Sequence, residues 1–273
     1  MRLDVELVDR GLARSRTQAA ALIEAERVVV NGRPAKKAAA PVTEAANIVV
    51  LEAVDYVSRA GHKLAGALEA FPEIPVEAKV CLDIGASTGG FTEVLLRRGA
   101  QLVIGVDVGH DQMVPELALN SRVINLEGFN ARELSPETLV ARIAESGRSF
   151  DLSNNPIELV VSDLSFISLT LVLEAIVKTA PMAHLVLLIK PQFEVGKQSL
   201  SAHGIVNDHR LRAAAIRQVT EFAQGLGLGI TGLAKSSLPG THGNIEYLLW
   251  IAPNQARNQS EWSDRIDALA KER

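Results

Sequence analysis

The chain has 273 residues, with 28 basic and 32 acidic side chains and a formal net charge of −4. That balance argues against a protein that simply coats nucleic acid or an acidic membrane, and 47% hydrophobic with 22% charged residues excludes wholesale disorder. The single cysteine, Cys81, excludes an intramolecular disulfide framework and fits a reducing cytoplasm, and no run approaches the roughly 18 apolar residues of a membrane-spanning helix. The start, Met1 to Glu6, carries acids where a signal peptide needs an apolar stretch.

Charge is unevenly spread. Residues 1–50 net +2 and the remaining 223 net −6. Positions 10–37 hold seven basic residues against two acidic. By charge alone, a solvated surface and a phosphate-binding face explain this equally well. Val5, Val8 and Leu12 recur at spacings of three and four, which predicts a short amphipathic helix. Ser15 is the expected cap of a second helix through Ala25, with Ala19, Leu22 and Ile23 on one face. Val28-Val29-Val30-Asn31-Gly32 predicts a hairpin, because a type I′ turn needs positive φ at both central residues. A further strand is expected over Asn47–Leu51.

This α+β pattern resembles the S-four-type RNA-binding module. The residues that carry the resemblance are Gly11-Leu12-Ala13-Arg14-Ser15-Arg16, then Ala20 and Ile23, then Val28 to Gly32. It covers residues 1–51 and implies that Arg14, Arg16, Arg33, Lys36 and Lys37 face RNA phosphates. Residues 52–58 read as a linker, and the stretch 59–273 as one larger domain.

In that domain a first helix is expected over Ser58–Phe71, ended by Pro72 and Pro75. Short apolar runs predict seven strands: Val80–Ile84, Leu102–Asp107, Arg122–Leu126, Glu158–Asp163, Leu185–Lys190, Leu228–Ala234 and Ile245–Ile251. Helical patterns fall between most of them, at Phe91–Arg98, Pro136–Glu145, Leu169–Thr179 and His209–Gln224. The alternation predicts a mainly parallel α/β sheet covered on both faces. The last two strands have no helix between them, so the final strand is expected to be antiparallel, as in the Rossmann-like methyltransferases.

The loop after the first of these strands reads Asp83-Ile84-Gly85-Ala86-Ser87-Thr88-Gly89-Gly90-Phe91. Glycines at a strand-to-helix turn let the backbone approach a cofactor. Asp107, ending the next strand, suits the hydroxyls of a ribose. The spacing is not G-x-G-x-x-G, which makes a nicotinamide oxidoreductase the weaker reading. Charged residues also fall at strand ends on the same edge: Asp163, Lys190 and Glu246, with Lys63 on the first helix. For any one of them an ion pair explains the residue; together, beside a cofactor loop, they mark chemistry.

The order Lys63, Asp163, Lys190, Glu246 resembles the Lys-Asp-Lys-Glu tetrad of the FtsJ-like 2′-O-ribose RNA methyltransferases. Ser58-Arg59-Ala60-Gly61-His62-Lys63-Leu64, Ser162-Asp163-Leu164-Ser165-Phe166-Ile167-Ser168 and Lys190-Pro191-Gln192-Phe193-Glu194-Val195-Gly196 extend the likeness. With the N-terminal module, nearly the whole chain is similar to the TlyA-type family, often labelled haemolysins but including ribosomal RNA 2′-O-methyltransferases. The polar stretch Ser146–Pro156 departs from that pattern without touching the tetrad. The resemblance implies S-adenosylmethionine as cofactor, held by Asp83, Gly85, Ser87, Thr88, Gly89, Phe91, Asp107 and Asp163. Glu127 and Asn130 are adenine-side candidates, although Asn130 reads equally as a turn residue. It implies Lys190 as the general base or hydroxyl-orienting group, with Lys63, Asp163 and Glu246 tuning it, and Arg59 among the RNA contacts. The implied partner is ribosomal RNA or a ribosomal subunit, the target a cytidine, and the location cytoplasmic, with no membrane and no metal. A membrane-active haemolysin and a non-catalytic ribosome-assembly protein are the rival readings. The six histidines show no metal-ligand spacing with Cys81.

Overall fold

The computed structural model describes residues 1–13, 15–24, 27–31, 33–43, 45–50, 56–240, 243–253 and 259–272. Of the residues singled out above, Arg14, Ala25, Gly32, Leu51, residues 52–55 of the linker, His242 among the six histidines and the Arg33 side chain lie outside that description. The chain divides into two compact units, Met1–Asp55 and Tyr56–Arg273.

The small unit packs helices α1 (Leu3–Asp9) and α2 (Arg16–Glu24) with a sheet of β1 (Val28–Val30), β2 (Arg33–Pro34) and β3 (Ile48–Val50) in the order β2-β1-β3. Val30 pairs with Arg33 and Val29 with Pro34, the register of a two-residue turn, and Asn31 has φ +50°. Ser15 Oγ accepts from the Gln18 amide at 3.2 Å, capping α2 as expected. The face of α1 differs from the expectation. Leu3 and Leu7 are the fully buried positions, while Val5, Val8 and Leu12 are half-buried. The spacing of four is kept but the stripe is rotated, because Asp4 and Glu6 are also buried and satisfied by arginines. Asp4 meets Arg2 at 2.9 Å and Arg16 at 3.0 Å, and Glu6 meets Arg10 at 2.7 Å. The paired guanidiniums hold the Asp4 carboxyl well below the usual range, the Arg2 hydrogen bond first.

The large unit is a three-layer α/β/α sandwich. Its strands are β4 (Val80–Ile84), β5 (Leu102–Val106), β6 (Val123–Leu126), β7 (Leu159–Ser162), β8 (His184–Ile189), β9 (Ile230–Lys235) and β10 (Tyr247–Ile251). They stand in the order β6-β5-β4-β7-β8-β10-β9. β10 runs antiparallel to both β8 and β9, and the other pairings are parallel, so the last strand is the single reversed one. Alternate side chains serve opposite faces. Cys81, Val103, Val161 and Leu188 pack under α3 (Arg59–Ala70), α4 (Gly90–Arg97) and the short α5 (Pro115–Ala118). Leu82, Ile104, Val160 and Leu187 pack under α6 (Pro136–Glu145), α7 (Leu173–Thr179), α9 (His209–Gly225) and α10 (Gln259–Lys271). Between β8 and α9 lies the single turn α8 (Pro191–Glu194). Tyr56 and Val57 pack onto this unit: Val57 donates to Glu93 at 2.6 Å, and Arg97 lies over the Tyr56 ring.

The chain leaves β4 toward β5 and β6 on one side, and returns to lay β7 and β8 on the other. This reversal opens a crevice at the carboxyl ends of β4 and β7, where open α/β sheets bind ligands. Among the described residues, no helix is long and apolar enough to cross a membrane.

Candidate active site

A cavity of about 410 Å³ sits at that crevice, within the size range of small-molecule sites. Its wall is built from three sources: the start of α3 (Ser58, Arg59, Ala60, Lys63), the β4 loop and start of α4 (Gly85, Ala86, Ser87, Thr88, Phe91), and the ends of β7 and β8 (Asp163, Ser165, Lys190), with Pro239. Gly85 has φ +86°, and a Cβ there would stand 3.0 Å from the Asp163 carbonyl oxygen. Only glycine allows the two loops to approach this closely.

Two lysines alternate with two acids at this wall, three of the four lining it and the fourth, Glu246, lying behind. Lys190 Nζ lies 2.6 Å from Asp163 Oδ1, off the hydrogen-bonding direction, and donates to Ser165 Oγ at 2.8 Å. Lys63 Nζ lies 3.8 Å from Asp163 Oδ2 and donates to Glu246 Oε2 at 2.6 Å. Gln192 Nε2 donates to the other Glu246 oxygen at 3.2 Å. Glu246 itself is 2% exposed and sits behind the wall. Gly240 is required beside it, since a Cβ there would collide with Glu246 Oε1. The ring of Phe193 lies under the Lys190 ammonium and 5.1 Å from the exposed ring of Phe166.

The structure thus brings Lys63, Asp163, Lys190 and Glu246 together. Gly85, Ser87, Thr88, Phe91 and Arg59 line the same cavity; Arg59 is exposed there and donates to Pro239 O at 3.5 Å. Other expected residues stand off the wall. Gly89 is buried with φ +94° at the N-cap of α4. Asp107 Oδ2 accepts from the Ser87 amide at 2.8 Å and Oδ1 from the Gly109 amide at 2.7 Å, so both oxygens brace the loop. Glu127 accepts from the Asp111 amide at 2.9 Å and Asn125 at 3.0 Å, and these bonds lower its pKa, the Asp111 one first. Asn130 Oδ1 caps the turn Ala131–Glu133 by accepting from the Arg132 amide. Lys36 and Lys37 are exposed on the small unit. Ser58, Ser165 and Gln192 belong to the site although their types alone gave no signal; each lies in a phrase that also holds a charged residue.

Asp83 is fully buried behind the wall. Its Oδ2 accepts from Thr92 Oγ1 at 2.7 Å, and its Oδ1 has no partner among the described residues. Burial pushes this carboxyl up to about 7, against the Thr92 hydrogen bonds. A raised acid binds a proton in the folded state that the unfolded chain has already lost. Its contribution to stability is therefore present below about pH 4 and is lost as pH rises toward 7. Asp83→Asn keeps an acceptor for Thr92 and removes the titration. The stability of the variant relative to the parent is expected to rise between pH 4 and pH 7, read by urea unfolding across that range. A difference that stays flat with pH would refute the assignment.

Other buried atoms around the crevice also lack partners among the described residues: Ser58 Oγ, Ser162 Oγ and Gln192 Oε1. Buried unsatisfied polar atoms are rare, and of these three residues Ser58 lines the cavity while Ser162 and Gln192 do not. The Cys81 thiol is buried and pushed up to about 12 by burial, an inert core group. Among the described residues no group of three or more His, Cys, Asp or Glu could hold a metal ion.

Comparison with known proteins agrees with this geometry. Residues 56–252 match the model of the FtsJ-like methyltransferase family, and residues 1–48 match the S4 domain. The chain is 49% identical over 253 residues to the 16S/23S rRNA (cytidine-2′-O)-methyltransferase TlyA of Mycobacterium tuberculosis, covering 92% of this chain and 89% of that one. It is 39% identical to Hemolysin A of Brachyspira hyodysenteriae, covering 91% and 98%. A solved hemolysin-named structure from Streptococcus thermophilus superposes with a TM-score of 0.70 at 34% identity, covering 99% of this chain and 94% of that one. Similarity of this extent, joined to the reversed last strand and the lysine–carboxylate array at the crevice, places the chain in the TlyA-type family of FtsJ-like methyltransferases that carry an N-terminal S4 domain.

Proposed function

We propose that the chain is an S-adenosylmethionine-dependent 2′-O-ribose methyltransferase that modifies a cytidine of ribosomal RNA in the cytoplasm. The observation that carries this reading is the array of Lys63, Asp163 and Lys190 on a cavity wall shared with the glycine loop, with Glu246 bonded to Lys63 behind it. The activity for which the Mycobacterium tuberculosis relative is named supports the substrate. In this reading residues 1–51 bind RNA, residues 52–58 link, and residues 59–273 form the methyltransferase domain.

The residues present fit the cofactor. Gly85, Ser87, Thr88 and Phe91 would hold it, and Ser58 on the wall offers an unpaired Oγ for its amino-acid head, with the unpaired Asp83 Oδ1 buried behind. When bound, S-adenosylmethionine supplies an electrophilic methyl group. The chain's own task is the acceptor. A ribose 2′-hydroxyl is a poor nucleophile until its proton is held or removed, and of the groups lining the cavity Lys190 is assigned this task. Asp163 and Ser165 fix the Lys190 ammonium from two sides, and Glu246 anchors Lys63 behind Asp163. Fixed donors and acceptors orient the oxygen without reorganisation during the reaction. The test is methyl transfer from labelled cofactor to ribosomal subunits lacking the modification, followed by mapping of the nucleotide. No transfer to either subunit, together with tight RNA binding, would favour the ribosome-assembly reading instead.

In the small unit, Arg16 stands 61% exposed with its guanidinium against Asp4, which leaves N–H groups for a phosphate. Arg16→Ala is expected to weaken RNA binding, to reduce the salt slope by about 1, and to leave cofactor affinity unchanged. Filter binding across a salt series reads all of this; an unchanged slope sinks the phosphate contact.

A further inference from the structure

Glu194 is a buried acid, 8% exposed, that the chemistry above leaves unused. It ends α8, the turn that begins directly after Lys190. Its carboxylate accepts from Ser168 Oγ at 2.5 Å, from the Leu169 amide at 2.9 Å and from Gln218 Nε2 of α9 at 3.4 Å. Among the described residues these donors are all neutral. A buried carboxylate without a cation costs desolvation free energy, and burial accordingly pushes its pKa up. What it holds is the far end of the loop that carries Asp163 and Ser165.

The Asp163 and Lys190 segments meet at three levels. Lys190 contacts Asp163 and Ser165 at the cavity. The Phe193 and Phe166 rings touch in the middle. Glu194 grips Ser168 and Leu169 at the other end. Between those ends, residues 163–168 form neither helix nor strand, and Ser165 and Phe166 are exposed. A loop of this kind keeps one geometry only when both ends are held.

We propose that Glu194 is a positioning residue for methyl transfer, clamping the Asp163–Leu169 segment to the Lys190 segment so that Lys190, Asp163 and Ser165 keep one arrangement. This rests on the methyltransferase reading of that site. A cap that served stability alone would lower the folded fraction and leave turnover per folded molecule intact. The clamp instead acts on turnover, since displacement of a positioned group by about 1 Å costs up to about a hundredfold.

The test uses the full chain, S-adenosylmethionine and ribosomal subunits lacking the modification. Glu194→Ala is expected to lower kcat about tenfold to a hundredfold, with cofactor Kd within about twofold of the parent. Glu194→Gln, which keeps an acceptor for the Leu169 amide, is expected to recover most of the loss. Ser168→Ala, which removes one arm of the clamp and serves if Glu194→Ala does not fold, is expected to lower kcat less. Its effect should not add to that of Glu194→Ala. A folded Glu194→Ala protein with the parent's kcat overturns the proposal. So does a loss that follows melting temperature and cofactor Kd in proportion and is not rescued by glutamine. Hydrogen exchange of the Leu169 amide reads the clamp independently of turnover. Faster exchange in Glu194→Ala supports the clamp even if the parent transfers no methyl group, and unchanged exchange overturns it.

Discussion

Lys190→Met should lower methyl-transfer turnover by about 10²–10⁴-fold, the range lost when a positioned proton-transfer group is removed. Methionine fills the volume of the lysine stem, which lies at the end of the buried strand β8 and over Phe193, so the fold should persist. The amine is what disappears. Among the described residues Asp163 then keeps only the Lys63 ion pair at 3.8 Å, and Ser165 loses its donor. Cofactor affinity, which the contacts proposed for the Gly85–Phe91 loop would set, should change no more than a few-fold. Single-turnover kinetics with saturating cofactor separate the two quantities. A folded, cofactor-binding Lys190→Met protein that turns over at the parental rate would remove Lys190 from the mechanism.

Glu246→Ala should be the most destabilising change in the array. It strands Lys63, a nearly buried ammonium whose short contact is the 2.6 Å bond to Glu246, and leaves Gln192 without its acceptor. Breaking one side of a buried pair costs about 3–5 kcal/mol, a fall in Tm on the order of 10 °C for a unit of this size. Replacing both partners at once, Lys63→Met with Glu246→Leu, removes the stranded charge and should recover much of the stability. Turnover should not recover, because Asp163 then lacks the cation behind it. Thermal unfolding and methyl-transfer rates on the single and double variants give the answer. If Glu246→Ala melts with the parent, the pair contributes nothing to the fold. If the double variant is fully active, the array is structural rather than chemical.

Much of this molecule is legible from local pattern. The runs of β4 to β10 are short and mostly apolar, so buried strands can be read directly, and six parallel strands with a reversed last one follow from the missing helix before β10. Asn31-Gly32 marks the hairpin because few residues tolerate the turn's backbone, and Ser15 and Ser135 mark helix starts because their hydroxyls accept orphan amides. The face of α1 escapes this kind of reading because a hydropathy stripe does not register a buried aspartate or glutamate. Asp4 and Glu6 can be buried only through arginines that return from elsewhere in the small unit or one turn along α1.

The tetrad residues can be named from sequence, since charged residues at strand ends beside a glycine loop, in a chain resembling a known family, point to chemistry rather than to surface solvation. Their arrangement cannot. Lys63 and Glu246 are 183 positions apart and form one hydrogen bond because α3 crosses the sheet beside β10. Asp107 and Asn130 have the right chemistry for a ligand, and the fold also uses their oxygens to accept backbone amides, a fact of loop geometry that residue type does not carry. Glu194 sits in a recognisable phrase but shows its use only when Ser168 and Leu169 are brought to it from another strand's loop. By itself the sequence determined the elements and the reversed strand, because these depend on periodicity and on local backbone preference, while the family came from resemblance in the motifs. Tertiary structure alone decided which charges are buried, which are paired and which reach the cavity, because desolvation and Coulomb energy depend on distances between residues far apart in the chain.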